Sequence, residues 1–219
     1  MVGHYGQVER KWLGRRLAQL YIGLLLYGFA AALQVRAGLG LDPWDVFHQG
    51  TARHVGLAIG TVLIIVGALV LLLWIPLRQR PGLGTASNVV LIGVSLNVSL
   101  QLVPVVHGIG WRIIVLTTGI VLGGVATGMY IGARFGPGPR DGLMTGLAGR
   151  TGRSIRLVRT GLELSVLAVG WLLGGTVGIG TVAYAVAIGP LAQIFLPLFD
   201  SAPRRREPVP SGHSVAVIR

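Results

Sequence analysis

The chain has 219 residues, 52% of them hydrophobic and 12% charged, with 35 glycines, no cysteine and a net charge of +12. Such apolar content belongs to a membrane protein, and the lack of cysteine excludes disulfides, thiol catalysis and cysteine-ligated metal. The basic excess would suggest nucleic acid in a soluble protein, but no aromatic residues alternate with the arginines to make a stacking platform, so no nucleic-acid role is expected.

A helix that crosses a bilayer needs about 20 residues, and six apolar runs of that order are predicted as spans, at 17–37, 57–77, 83–106, 113–133, 157–174 and 178–199. The first follows Lys11, Arg15 and Arg16, as the core of a secretory signal would. Its apolar stretch is too long for one and "AAALQVRAG" is a poor cleavage site, so it is read as a retained helix after a cytoplasmic segment, 1–13.

After the first span the chain reads "GLGLDPWDVFHQGTARHVG". Asp42 suits an N-cap, and Pro43 the first helical position, where its missing N–H costs nothing. Asp45, at the third position, can accept free N–H groups, so a helix is predicted from about 43 to 54, ended by Gly56. Twelve residues reach only about 18 Å, so this helix either lies in the interface or dips in and returns. Trp44 fits an outer aromatic belt or one side of a gate. His48, beside Val46 and Phe47, is a group that titrates near neutrality or a structural histidine.

The third span carries Asn88, Ser95, Asn97, Ser99 and Gln101, which either line a polar path or bond to neighbouring helices. Tyr130 and Tyr184 are candidates for the same part later in the chain, and Gly119, Gly123 and Gly124 permit close helix contact. After the fourth span comes "GPGPRDGLMTGLAGRTG", in which Gly138, Pro139 and Asp141 stand where a second short helix would start. Arg140 fits the inner positive face or the other side of a gate. Glu163 is the one acid within an apolar span and so a functional candidate, although Arg159 four residues earlier can pair with it on the same helix face. Beyond 199 a proline-rich, basic segment, 200–219, is expected to be a disordered cytoplasmic tail that meets anionic lipid at 204–206.

Sliding the chain by 96 residues aligns 14–103 with 110–199 without a gap and gives 27 identities in 90 pairs. The matches include Gly40 with Gly136, Pro43 with Pro139, Asp45 with Asp141, Gly56 with Gly152, and "GLGT" at 82–85 with "GIGT" at 178–181. Two repeats are inferred, 14–109 and 110–199, with three spans each. An odd number of spans sends the second copy in from the opposite side, about a pseudo-two-fold axis in the membrane plane. With the N-terminus inside, 16 of the 19 basic residues fall on cytoplasmic segments, a strong positive-inside bias. The expected fold is therefore an all-α membrane protein of six transmembrane helices, arranged as two inverted three-helix repeats, each with a short re-entrant or interfacial helix after its first span.

The segments "GLGLDPWDVFHQGTARHVGLAIGT" and "GPGPRDGLMTGLAGRTG" resemble the YczE/YitT group of bacterial integral membrane proteins, over most of 15–199. The resemblance implies a polytopic inner-membrane protein and assigns no catalytic or ligand residue.

Two functions follow as expectations. The first is a small-solute or ion transporter or permease whose candidate substrate-binding residues are Trp44, Asp45, His48, Asn88, Asn97, Arg140, Asp141 and Glu163, with Asp42, Pro43 and Pro139 as helix caps. The second is a non-transporting scaffold or assembly factor for a secretion or biosynthetic complex. No nucleophile–base pair or phosphate-binding loop suggests an enzyme, and no cofactor or metal is expected. The expected setting is the bacterial inner membrane with both termini cytoplasmic, the partners being the bilayer with its anionic head groups, an unknown small solute or ion, and in one arrangement a second copy of the chain.

Overall fold

The structure is a computed structural model that describes residues 2–201, with side chains from Trp12 onward. It contains α1 (Val2–Ala37), α2 (Pro43–Val55), α3 (Ile59–Leu77), α4 (Leu83–Leu102), α5 (Ile109–Gly132), α6 (Pro139–Thr151), α7 (Ile155–Leu172) and α8 (Ile179–Phe199), with no strand among the described residues. Five helices are long and apolar enough to cross a membrane: Trp12–Ala37 of α1, α3, α4, α5 and α8. The run expected as a span at 157–174 forms α7, which has 18 residues but carries Arg156, Arg159 and Glu163. The tail beyond Ser201, with its basic cluster, lies outside the described residues.

The two short helices form where the capping residues predicted them. Asp42 caps α2 and Pro43 occupies its first turn, while Gly56 ends it in the left-handed conformation at φ 69°. Gly138 and Pro139 open α6, and Gly152 closes it at φ 66°. Only glycine enters that region without steric cost. Each helix has 13 residues, about 20 Å of rise against a hydrocarbon core of about 30 Å.

At the centre α1 and α5 pack along each other, with α4 against α1 and α8 against α5. On the other side α2 packs on α7 and α3 on α6. Pro43 and Pro139, Ile59 and Ile155, and Leu83 and Ile179 begin matching helices, so the 96-residue offset of the sequence holds for three pairs of helix starts.

The motif that recurs as GLGT and GIGT turns out to hold the loops that lead into the short helices. Thr85 Oγ1 donates to the Pro137 carbonyl at 2.7 Å and accepts from its own helix start at Gly82 N, while Gly84 N donates to the Phe135 carbonyl at 2.9 Å. In the other half Gly180 N donates to the Leu39 carbonyl at 2.8 Å, and Thr181 Oγ1 accepts from Gly178 N. The free N–H groups at the start of α4 and α8 thus satisfy carbonyls of an irregular loop that would otherwise be orphaned in a buried setting. Gly136 and Gly40, with φ of 118° and 121°, press against Thr85 and Thr181. Each loop is held by the clamp of the other half.

Trp74 braces α6. Its ring lies where a β-carbon of Gly142 would stand, its indole N–H donates to the Pro139 carbonyl at 3.1 Å, and it forms a core cluster with Trp44, Val70 and Leu143. Gly170, at the place in α7 that matches Trp74, instead lets the backbone of α2 come close, since a β-carbon there would meet Phe47 N and Cα at 2.5 Å.

Candidate functional site

Asp42 performs the capping expected of it, accepting from Trp44 N at 2.8 Å and Asp45 N at 3.0 Å. Asp45 does not cap. Its carboxylate lies 3.1 Å from His48 Nδ1 and 3.6 Å from Arg140 Nη2, because Asp42 has already taken the free amides of the first turn. Arg140, from the first turn of α6, also places Nη1 3.5 Å from Asp42 Oδ1. The first turns of the two short helices therefore meet through one guanidinium shared by two carboxylates.

Two expectations from topology are corrected here. Trp44 belongs to no outer aromatic belt: it is 6% exposed, packed against Val70, Trp74 and Leu143. Arg140 lies on no inner surface but over the Trp44 indole, 5.1 Å from the ring centre, a cation–π contact. Trp44 and Arg140, which stand at matching positions of the repeat, thus stack on each other, the ring face attracting the positive charge.

Around this junction lies a cavity of about 230 Å³, to which all eight helices contribute a residue, among them Tyr27, Trp44, Leu63, Asn88, Tyr130, Arg140, Glu163 and Tyr184. Tyr27 and Tyr184 join their hydroxyls at 3.2 Å, and the Tyr130 hydroxyl donates to Asp141 Oδ2 at 3.4 Å. Asp42, His48 and Asp141 line the same space, and Asp45 sits behind Arg140. Burial, and then the charge of Asp45, push the Asp42 carboxyl up to about 6, with Arg140 opposing. Burial also raises Asp45 and Asp141, again against Arg140, and lowers His48 to about 3, which leaves its imidazole neutral at pH 7.

α7 and α8 both line the cavity without packing on each other. At the matching seam, α3 packs along α4 because Gly60 and Gly93 present bare backbone to each other, each leaving no room for a β-carbon beside the other's carbonyl. Asn97 holds that seam, accepting from Gly60 N at 2.9 Å and donating to Thr61 Oγ1 at 3.2 Å. In α7 the positions of Gly60 and Gly67 hold Arg156 and Glu163, and α7 makes no comparable packing with α8. Gly189, which matches Gly93, faces open space. Glu163 and Arg159 pair at 2.9 Å and, with Ile188, Gly189 and Ala192, line the cavity on that side.

Of the residues singled out in the sequence, Trp44, His48, Asn88, Arg140, Asp141 and Glu163 line the cavity and Asp45 supports it. Asn97 is a packing residue of the α3–α4 seam instead. Pro43 and Pro139 both open their helices and reach the cavity wall. Sequence reasoning missed Tyr27 and took Asp42 for a cap alone. A hydroxyl-bearing aromatic in the middle of the apolar run 17–37 was the available signal for Tyr27. Among the described residues, no three His, Asp or Glu side chains are placed to hold a metal ion.

Comparison with known proteins decides the family. Residues 14–197 match the model of the family of unknown function DUF6198. The chain belongs to that family. An uncharacterised protein of Haemophilus influenzae is 38% identical over 189 residues, covering 86% of this chain and 87% of its own. The uncharacterised membrane protein YczE of Bacillus subtilis is 36% identical over 179 residues, covering 81% and 83%, and the uncharacterised protein YyaS of the same organism is 25% identical over 183 residues, covering 82% and 91%. No solved structure matches. This DUF6198 chain is thus a membrane protein, as the resemblance to the YczE group implies.

Proposed function

We propose that the protein is a small-solute or ion permease of the bacterial inner membrane, built from two inverted halves, with α7 as a sixth span and both termini in the cytoplasm. One observation carries this reading. Two helices too short to span meet at their first turns, beside a cavity to which every helix of an otherwise apolar chain contributes.

The physical reason is that charged groups inside a membrane domain are costly and persist where they face a cavity or pathway. Half-length helices with their N-termini at the repeat interface are how inverted-repeat transporters present partial charge to a solute. In this arrangement α2 enters from outside and α6 from inside, and the helix pairs α1 with α4 and α5 with α8 are equivalents. Gly60, Gly93 and Asn97 close one seam while the other stands open, an asymmetry suited to alternating access.

The test uses the absence of cysteine. Single cysteines along 42–56 and 138–152 are probed with a membrane-impermeant thiol reagent in intact cells and in inverted vesicles. The permease reading expects labelling that fades toward 42–45 from outside and toward 138–141 from inside. Labelling that repeats with helical period along both segments from a single side would make them surface helices and favour a scaffold.

A further inference from the structure

The site holds more carboxyl groups than guanidinium groups, and the surplus points to what fits it. Asp42 and Asp45 lie 3.5 and 3.6 Å from one guanidinium, Arg140, and Asp141 lines the same cavity beyond ion-pair distance of it, while Glu163 and Arg159 pair at 2.9 Å. The first turns of α2 and α6 each supply about half a positive charge, so the helix ends and Arg140 together balance roughly two of the three carboxylates. His48, the remaining basic group that faces them, is 2% exposed and already engaged by Asp45. The other titratable groups at the wall are the hydroxyls of Tyr27, Tyr130 and Tyr184, which bring no positive charge.

Asp141 is where the surplus lies. Asp42 receives two backbone amides and Asp45 a guanidinium and an imidazole, whereas Asp141 has the Gly138 backbone and the Tyr130 hydroxyl at 3.4 Å, with Arg140 and Arg159 acting on it from beyond ion-pair distance. An anion entering here would add to this surplus of acidic groups. A cation would complete the balance.

The rest of the wall narrows the class. Leu63, Val66, Val70, Val89, Ile92 and Ile188 make a hydrocarbon surface, and Tyr27 meets Tyr130 edge to face at 6.2 Å. A bare alkali ion needs a shell of oxygens and would leave most of about 230 Å³ unfilled. An organic cation fills it with apolar atoms and meets aromatic faces that favour positive charge. α7 and α8 do not pack on each other and Gly189 leaves room beside them, so this side can admit such a body.

We propose that the cavity binds a small monovalent organic cation with an apolar body, which enters between α7 and α8 and is neutralised by Asp141. The proposal rests on reading the cavity as the substrate site, but its test needs no flux. Purified full-length protein in detergent is titrated calorimetrically with benzyltrimethylammonium and, separately, with benzenesulfonate, a comparable aromatic of opposite charge. The expected result is saturable binding of the cation alone, weakened at least tenfold by Asp141→Asn and unchanged by Asp200→Asn, whose carboxylate pairs with Arg134 away from the cavity. Gly189→Phe, which puts a ring into the free space at the cavity lining, should also abolish binding while gel filtration remains that of the native protein.

Failure of the cation to bind, tighter binding of benzenesulfonate, or cation binding indifferent to both Asp141→Asn and Gly189→Phe overturns the proposal. Should Asp141→Asn fail to fold, Gly189→Phe and the comparison of the two probes still decide. Asp141-dependent binding without flux in vesicles would count against the permease reading and leave the ligand assignment standing.

Discussion

Arg140 is the side chain that joins the first turns of the two short helices through charge, and its removal has a calculable cost. Its guanidinium lies 3.5 Å from Asp42 and 3.6 Å from Asp45, both carboxylates being 3% exposed, while Arg140 itself is 26% exposed. At an effective dielectric of about 20 each contact is worth roughly 4–5 kcal/mol of Coulomb attraction, most of it spent on desolvation. Deleting one partner of a buried pair typically costs about 3–5 kcal/mol, because the other charge is left uncompensated. The partial exposure and long contacts place Arg140→Ala near the low end, about 3 kcal/mol.

For a chain of this size about 1 kcal/mol moves Tm by roughly 2–4 °C, so a fall of about 6–12 °C is expected. Differential scanning fluorimetry of the five tryptophans in detergent reads it directly. Adding Asp42→Asn and Asp45→Asn to Arg140→Ala should recover most of the loss, since the uncompensated charges disappear and asparagine still caps α2. A Tm unchanged in Arg140→Ala, or a triple variant no more stable than the single one, would refute the assignment of this junction as a charge-compensated unit.

Other expectations follow from individual contacts. Gly142→Ala places a methyl inside the Trp74 ring and should lose about 1–3 kcal/mol through overpacking, whereas Gly123→Ala, with nothing within 4 Å, should be neutral or gain up to about 1 kcal/mol from helix propensity; thermal melts compare the two. Thr85→Val removes the donor to the Pro137 carbonyl at a cost of about 1–3 kcal/mol, and hydrogen exchange should quicken at 136–142 while 40–46 stays protected. Asn97→Ala leaves Gly60 N without its acceptor and frees Thr61, so a cysteine at position 61 should become reactive without loss of the α1–α5 core.

The character of the chain as a membrane protein and the two short helices were legible in the sequence. Hydrophobic run length marked the five helices long and apolar enough to cross a membrane and also 157–174, where Arg159 and Glu163 keep α7 out of that set, and Asp42, Pro43, Gly56, Pro139 and Gly152 are local signals whose effect depends on their own backbone. The offset of 96 residues was equally visible, and three pairs of helix starts follow it. Side-chain partners were a different matter. Trp44 and Arg140 read as surface residues at opposite faces because composition cannot show that two positions 96 residues apart stack on each other. Asn97 looked like a polar lining and became the bond that shuts a seam. Tyr27 gave no signal beyond its type, and the clamp made by Thr85 on the loop before α6 spans 52 residues.

What the sequence determined by itself was therefore the local part: which segments are apolar, where the short helices start and stop, and the 96-residue offset that three pairs of helix starts follow. Which residues face the cavity, which seam is closed and where the charge surplus lies were decided by tertiary packing. A capping hydrogen bond or an apolar run acts over a few residues of one chain segment, whereas a buried ion pair or a glycine contact exists only once two distant helices have come within a few ångströms of each other.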